Sequence, residues 1–106
     1  MPQFIITYHD GSQPESPEEG QKQMAEWMAW VEELGDALPD KGNPVGITTV
    51  MTKDGVSDAR PKNPLMGYSI LEAEDMDGAV SLMSGNPHLK YGGTIEISQV
   101  MELPEM

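Results

Sequence analysis

The sequence predicts an α+β domain with the element order βαββαβ. Short runs rich in β-branched and aromatic residues stand at "QFIITYHD", "VGITTVMT", "LMGYSILEA" and "GTIEISQVME". Between the first and second, and between the third and fourth, apolar residues recur at helical spacing. Proline, glycine and aspartate punctuate the boundaries.

In "QFIITYHD", Phe4, Ile6 and Tyr8 fall on one face, and Ile5, Thr7 and His9 on the other. Both faces are mostly apolar, as in a strand covered on both sides. The first helix opens at "SPEE": Ser16 suits the N-cap, Pro17 the first turn, and Glu19 the third position of a capping box. Met24, Trp27, Met28, Val31, Leu34 and Leu38 then form one stripe, predicting a helix over about residues 17–38. Trp30 sits at the border of that stripe, and Gly35 lies within it, where a small residue permits close backbone approach. "PDKGNPVG" ends the helix. "VGITTVMTKDGV" predicts a strand and then a hairpin turn at Asp54-Gly55.

The polar stretch "SDARPKNP" reads as a loop. In the third strand Met66, Tyr68 and Ile70 share a face. Asp75 caps a second helix carrying Met76, Ala79, Val80 and Met83; Gly85 follows it, and Pro87 is expected to prevent its resumption. The last strand alternates Ile95, Ile97, Gln99 and Met101 with Glu96, Ser98 and Val100.

Right-handed crossovers in this order give a four-stranded antiparallel sheet with both helices on one face. Strands one and three nevertheless carry apolar residues on both faces. A second copy of the chain supplies the missing cover, so the expected assembly is a homodimer whose two sheets face each other as an α+β barrel. Such a barrel encloses a cavity suited to a small ligand.

Composition narrows the function. The chain has 106 residues, which predicts a single domain over 1–106. Eighteen acidic residues against six basic give a net charge of −12, a surface that repels nucleic acid and anionic membranes. There is no cysteine, which removes disulfides, thiolate nucleophiles and thiolate metal sites. No apolar run approaches the roughly 18 residues of a membrane helix, and "MPQFIITYHDG" lacks a signal-peptide pattern. A soluble, cytoplasmic protein is expected.

The strand-one ending, the "ESPEEGQKQMAEWMAWVEELGDAL" helix, "NPLMGYSILEAEDMDGAV" and "GNPHLKYGGTIEISQVME" together resemble the YCII-related proteins, in particular the branch with a DGPF motif. The most specific portion runs from Gly67 to Val100. The resemblance implies a ferredoxin-like fold that dimerises as an α+β barrel. It also implies a cleft in which a histidine and an aspartate act as an acid–base pair. Where DGPF members carry Asp-Gly-Pro-Phe, this chain has "SDARPKNP": Asp58 stands in place of the aspartate, without the glycine and phenylalanine.

His88, between Pro87 and the Gly92-Gly93 pair, is the leading catalytic candidate, because a neutral imidazole can take or give a proton near neutral pH. Its alternative role is to order the turn by bonding a backbone group. Asp58 is the candidate to orient the imidazole, against an exposed loop residue. Tyr68 could donate to a substrate oxyanion from inside the barrel, or pack in the core. Arg60 and Lys62, in one loop of a strongly acidic chain, are candidate anchors for a ligand carboxylate; otherwise they offset nearby acids. Tyr8 and His9, at the end of strand one, are further ligand-binding candidates. His9-Asp10 lacks the partner histidines of a metal phosphohydrolase site, so no metal and no cofactor is expected. Two functions follow: a cofactor-free acid–base enzyme, lyase- or isomerase-like, acting on a small acidic or aromatic organic molecule; or a ligand-binding or accessory homodimer without catalysis.

Overall fold

The computed structural model describes residues 1–57 and 61–103. Its elements are β1 (Gln3–His9), α1 (Pro17–Leu34) continued by a 3-10 turn (Gly35–Ala37), β2 (Val50–Thr52), β3 (Gly55–Ser57), β4 (Gly67–Glu72), α2 (Met76–Met83), α3 (Pro87–Lys90) and β5 (Thr94–Gln99). The chain is a small α+β protein built on antiparallel sheets, as its sequence predicts.

The main sheet has three strands, ordered β4-β1-β5, with both neighbours antiparallel to β1. Register puts Ile6 opposite Ser69 and Ile97, and Tyr8 opposite Gly67 and Ile95. Alternation therefore turns Phe4, Ile6, Tyr8, Ser69, Leu71, Ile95 and Ile97 toward the helices. Phe4, Ile6, Leu71, Ala79 and Met83 make the tight core, with Trp30 and Leu38. The opposite face carries Ile5, Thr7, His9, Tyr68, Ile70 and Glu96, with no helix over it.

The second strand is corrected, and with it the expected four-stranded sheet. The segment expected as the second strand joins the sheet nowhere along residues 50–57; it forms the separate β2–β3 hairpin around Asp54-Gly55, with Met51 opposite Val56. The edge of β4 is instead met by residues 40–45, through isolated bridges Asp40–Ile70 and Pro44–Gly67. Tyr68 N–H donates to the Asn43 carbonyl at 3.3 Å and Ile70 N–H to the Asp40 carbonyl at 2.8 Å. Pro39 and Pro44 lack N–H groups and Gly42 takes φ 78°, so this segment cannot run as a regular strand. A Cβ at Gly42 would collide with the Tyr68 carbonyl, which is why glycine stands there.

The helix ends follow from local chemistry. Ser16 Oγ accepts from Glu19 N–H at 3.1 Å, and the Glu19 carboxylate reaches back to Glu15 N–H rather than to Ser16. Gly35 terminates α1 at φ 54° and has open space around it, so it serves the left-handed turn and not a close approach. Pro87 does more than block α2. It occupies the first turn of α3, whose N-cap Asn86 accepts from His88 N–H at 2.8 Å.

The expected stripe of α1 is also redistributed. Trp30 is the buried residue of the helix, while Met24 and Met28 are 59% and 46% exposed. The N-terminal half of α1 stands off the sheet, and the gap it leaves is a cleft.

Candidate functional site: a cleft around His88

The α3 turn is held from several directions. Tyr91 O–H donates to Glu26 Oε1 on α1 at 2.9 Å, and Lys90 Nζ lies 3.2 Å from both Glu26 oxygens. The Tyr91 carbonyl accepts from the Ser12 hydroxyl at 3.0 Å. Tyr91, followed by the Lys90 ammonium, lowers the Glu26 carboxyl below its ordinary range. These ties fix the backbone from which the His88 ring projects.

The ring itself is wedged between glycines. A Cβ on Gly93 would overlap its Cδ2 and Nε2 atoms, and a Cβ on Gly11 would come 2.5 Å from Cε1. Its Nε2 donates to the His9 carbonyl oxygen at 2.6 Å. That bond places the proton of the neutral ring on Nε2 and leaves Nδ1 as the basic nitrogen. Nδ1 makes no hydrogen bond among the described residues. The ring also packs edge-on against Tyr8, with centroids 5.4 Å apart.

His88 lines two adjoining clefts. One, of about 370 Å³, lies between α1 and the β1–β4 side of the sheet, bounded by Tyr8, Met28, Lys41 and Asn43 among others. The other, of about 330 Å³, opens toward Gln13, Gln23 and Tyr91. Met24, Trp27, Met66 and His88 belong to both. Volumes of this order suit a small organic molecule.

Tyr8 is a wall residue with a committed hydroxyl. Ser69 Oγ–H donates to the Lys41 carbonyl at 2.7 Å, so in the 2.8 Å contact between Tyr8 and Ser69 the phenol is the donor. Burial pushes the Tyr8 phenol up to about 12, against smaller opposing effects of Ser69 and Asn86. Asn86 Nδ2 and Trp30 Nε1 are buried without a hydrogen bond. The Trp27 ring meets Tyr8 edge-on at 5.3 Å and lies 5.1 Å from Trp30, so one face of the cleft is aromatic.

The residues singled out in the sequence separate in space. His88 and Tyr8 meet at the cleft. The His9 carbonyl holds His88, but its ring is turned to the other side of the sheet. There Nδ1 faces the carbonyls of Asn63 and Pro64 at 3.1 and 3.2 Å, Nε2 lies 2.9 Å from the Thr7 hydroxyl, and Glu96 is 3.7 Å away. Tyr68 borders the cleft, yet alternation places its side chain on the open face beside Thr7. Lys62 is exposed and lines neither cleft. Asp58 and Arg60 lie outside the described residues. Among the described residues no carboxylate pairs with the His88 ring; its fixed partner is a backbone carbonyl.

Lys41, Trp27, Met24 and Met66 also line the clefts, while Ser69 holds the Tyr8 hydroxyl and Asn86 caps the α3 turn; none carries a motif. Asn86 was the most legible of them, because Asn-Pro is a turn-opening pair and Asn caps helices well. Among the described residues no group of three or more His, Asp or Glu side chains converges as metal ligands, and no helix is long and apolar enough to cross a membrane.

No family model matches the chain, and no curated protein does. A solved structure with a similar fold is that of 5-chloro-2-hydroxyhydroquinone dehydrochlorinase from Burkholderia phenoliruptrix AC1100, in complex with 2,5-dihydroxybenzoquinone. It is 22% identical, with a TM-score of 0.52 over 89% of this chain and 90% of that one. At that identity the likeness shows the α+β fold.

Proposed function

We propose that the chain is a cofactor-free acid–base enzyme of the YCII-related kind, acting on a small organic molecule in the cleft around His88. One observation carries the reading: His88, which lines an aromatic cleft, is locked by its Nε2–H bond to the His9 carbonyl, so that Nδ1 is left as the acceptor nitrogen of the neutral ring. A general base needs a fixed ring, a free nitrogen and room for a substrate beside it. The similar fold of a dehydrochlorinase supports the same class of chemistry.

In such a reaction Nδ1 removes a proton from carbon. The C–H electron pair becomes a new π bond, and a leaving group on the neighbouring carbon departs with its own bonding pair. In an isomerisation the imidazolium instead returns the proton to another carbon. The imidazolium stays hydrogen-bonded to the His9 carbonyl throughout, which stabilises its charge without a carboxylate. Beyond that bond, this reading assigns Asp58 as orienting acid and Arg60 as carboxylate anchor, while Lys62 lines neither cleft. Tyr68 would act on a partner subunit's side of the sheet.

The acting unit in this reading is a homodimer of ferredoxin-like subunits, the 40–45 segment standing in the place of the fourth strand. The chain exposes 7749 Å², where a compact monomer of its mass exposes about 5,800 Å². Its radius of gyration is 15.6 Å, against about 13 Å for a compact chain of this length. Ile5 on the bare sheet face, and Met51 and Val56 on the hairpin, are exposed apolar surface for a second copy to cover. The non-catalytic alternative rests on the lack of a described carboxylate beside His88.

The test is turnover. Incubation with halogenated and hydroxylated quinols, followed by halide release and absorbance, should show activity that His88→Gln abolishes while leaving folding intact. Equal turnover by His88→Gln removes the base from the account. Saturable binding without turnover across such a panel favours the non-catalytic reading.

A further inference from the structure

The acidic residues of this chain avoid one place. Eighteen of its 106 residues are Asp or Glu, for a net charge of −12. Among the described residues, none of them lines either of the two clefts that meet at His88. The side chains there that can carry positive charge are Lys41 and His88. Asp40, next to Lys41 in sequence, has its carboxylate on Gly42 N–H at 2.8 Å. Glu26, on the cleft-forming helix, is held by Tyr91 and Lys90.

Lys41 makes no ion pair among the described residues, whereas Lys90 makes one. Its backbone is anchored, because its carbonyl takes the Ser69 hydroxyl proton. Lys41 lines the cleft with an exposed side chain that no described carboxylate neutralises, on a stem long enough to reach an occupant. Trp27 and Tyr8 give that occupant an aromatic wall, and the thioethers of Met24, Met28 and Met66 adapt to a flat ring. The Tyr8 hydroxyl is already committed to Ser69 and offers a ligand no second proton.

We infer that the His88 cleft takes a flat aromatic organic anion, a carboxylate or an acidic phenol, and that Lys41 selects for its charge. The inference rests on the reading of this cleft as the ligand site and adds the class of molecule it accepts. An acidic wall would repel such an anion. A wholly neutral wall would accept its uncharged isostere equally well, so the unpaired ammonium is what discriminates.

The experiment compares 2-hydroxybenzoate with its neutral isostere 2-hydroxybenzamide at pH 8, by quenching of tryptophan fluorescence, since Trp27 lines the cleft. The wild type should bind the anion about tenfold or more tighter than the amide, the effect of one favourable charge contact. Lys41→Gln should remove that preference by weakening only the anion. Lys41→Arg should keep it. Equal binding of acid and amide to the wild type would overturn the inference. So would an equal loss of both in Lys41→Gln, or no saturable quenching by either probe at millimolar concentration. Because no turnover is measured, charge preference that survives in an inactive protein sinks only the catalytic reading, and turnover without charge preference sinks only this one.

Discussion

The Nε2 atom of His88 and the carbonyl oxygen of His9 lie 2.6 Å apart, across 79 positions of sequence. This contact joins the α3 turn to the end of β1 and fixes which nitrogen of His88 is basic. It also separates the surroundings of the two histidines. His9 gives its carbonyl to the cleft, while its ring fastens the loop at Asn63 and Pro64 on the other face.

Gly93→Ala and Gly11→Ala should both displace the His88 ring, because each new methyl group would occupy its space. The expected outcome is a folded protein destabilised by about 1–3 kcal/mol, with altered His88 ring resonances and loss of any His88-dependent activity. Thermal melts and histidine NMR check this. Wild-type His88 resonances in Gly93→Ala would contradict the described packing.

Tyr8 ties stability to alkaline pH. Burial holds its phenol at about 12 in the folded protein, well above the ordinary tyrosine value. Its contribution is therefore fully present below pH 10 and is lost as pH rises toward 12, with a total of about 2–3 kcal/mol. Denaturant melts between these pH values should show the decline, and Tyr8→Phe should flatten it. At neutral pH the same variant should cost about 1 kcal/mol for the bond to Ser69.

Glu26 works in the opposite direction. Its pKa is lowered by Tyr91 first and Lys90 second, so the stability it gives the α3 turn is present above its unfolded value and is lost as pH falls through the folded one. Glu26→Gln should raise hydrogen exchange at residues 88–93 and remove the acid dependence of that exchange. Unchanged protection there would show that Asn86 and Ser12 suffice to hold the turn.

Association is expected from the bare sheet face. Sedimentation at micromolar concentration should give a dimer, and a charge at Ile5 or Ile70 should shift it toward monomer. A monomer with no concentration dependence would refute the facing-sheet assembly.

The strands and helices were legible where one period ran without interruption: β1, α1, β4, α2 and β5 all fall within the segments that the sequence marks out. The edge segment at 40–45 was not, because two prolines and a glycine hide an extended chain that still bonds β4. α3 was hidden in four residues, too short for periodicity. His88 and Tyr8 were visible as chemistry. Lys41 and Ser69 were not, since an isolated lysine or serine has no signature until β4 and the 40–45 segment bring them to one wall. Met24 and Met28 read as core by spacing; they are exposed because α1 lifts away from the sheet over the cleft.

The most direct test of the account is the tautomeric state of the two histidines, read from long-range ¹H–¹⁵N correlations of the imidazole rings with His88→Gln for assignment. In the neutral protein His88 should be protonated at Nε2, with Nδ1 unprotonated and shifting when a ligand enters the cleft. His9, whose Nδ1 faces two carbonyls, should show the opposite tautomer. A His88 ring protonated at Nδ1, or a Nδ1 resonance indifferent to ligand, would contradict the assignment of that nitrogen as the base.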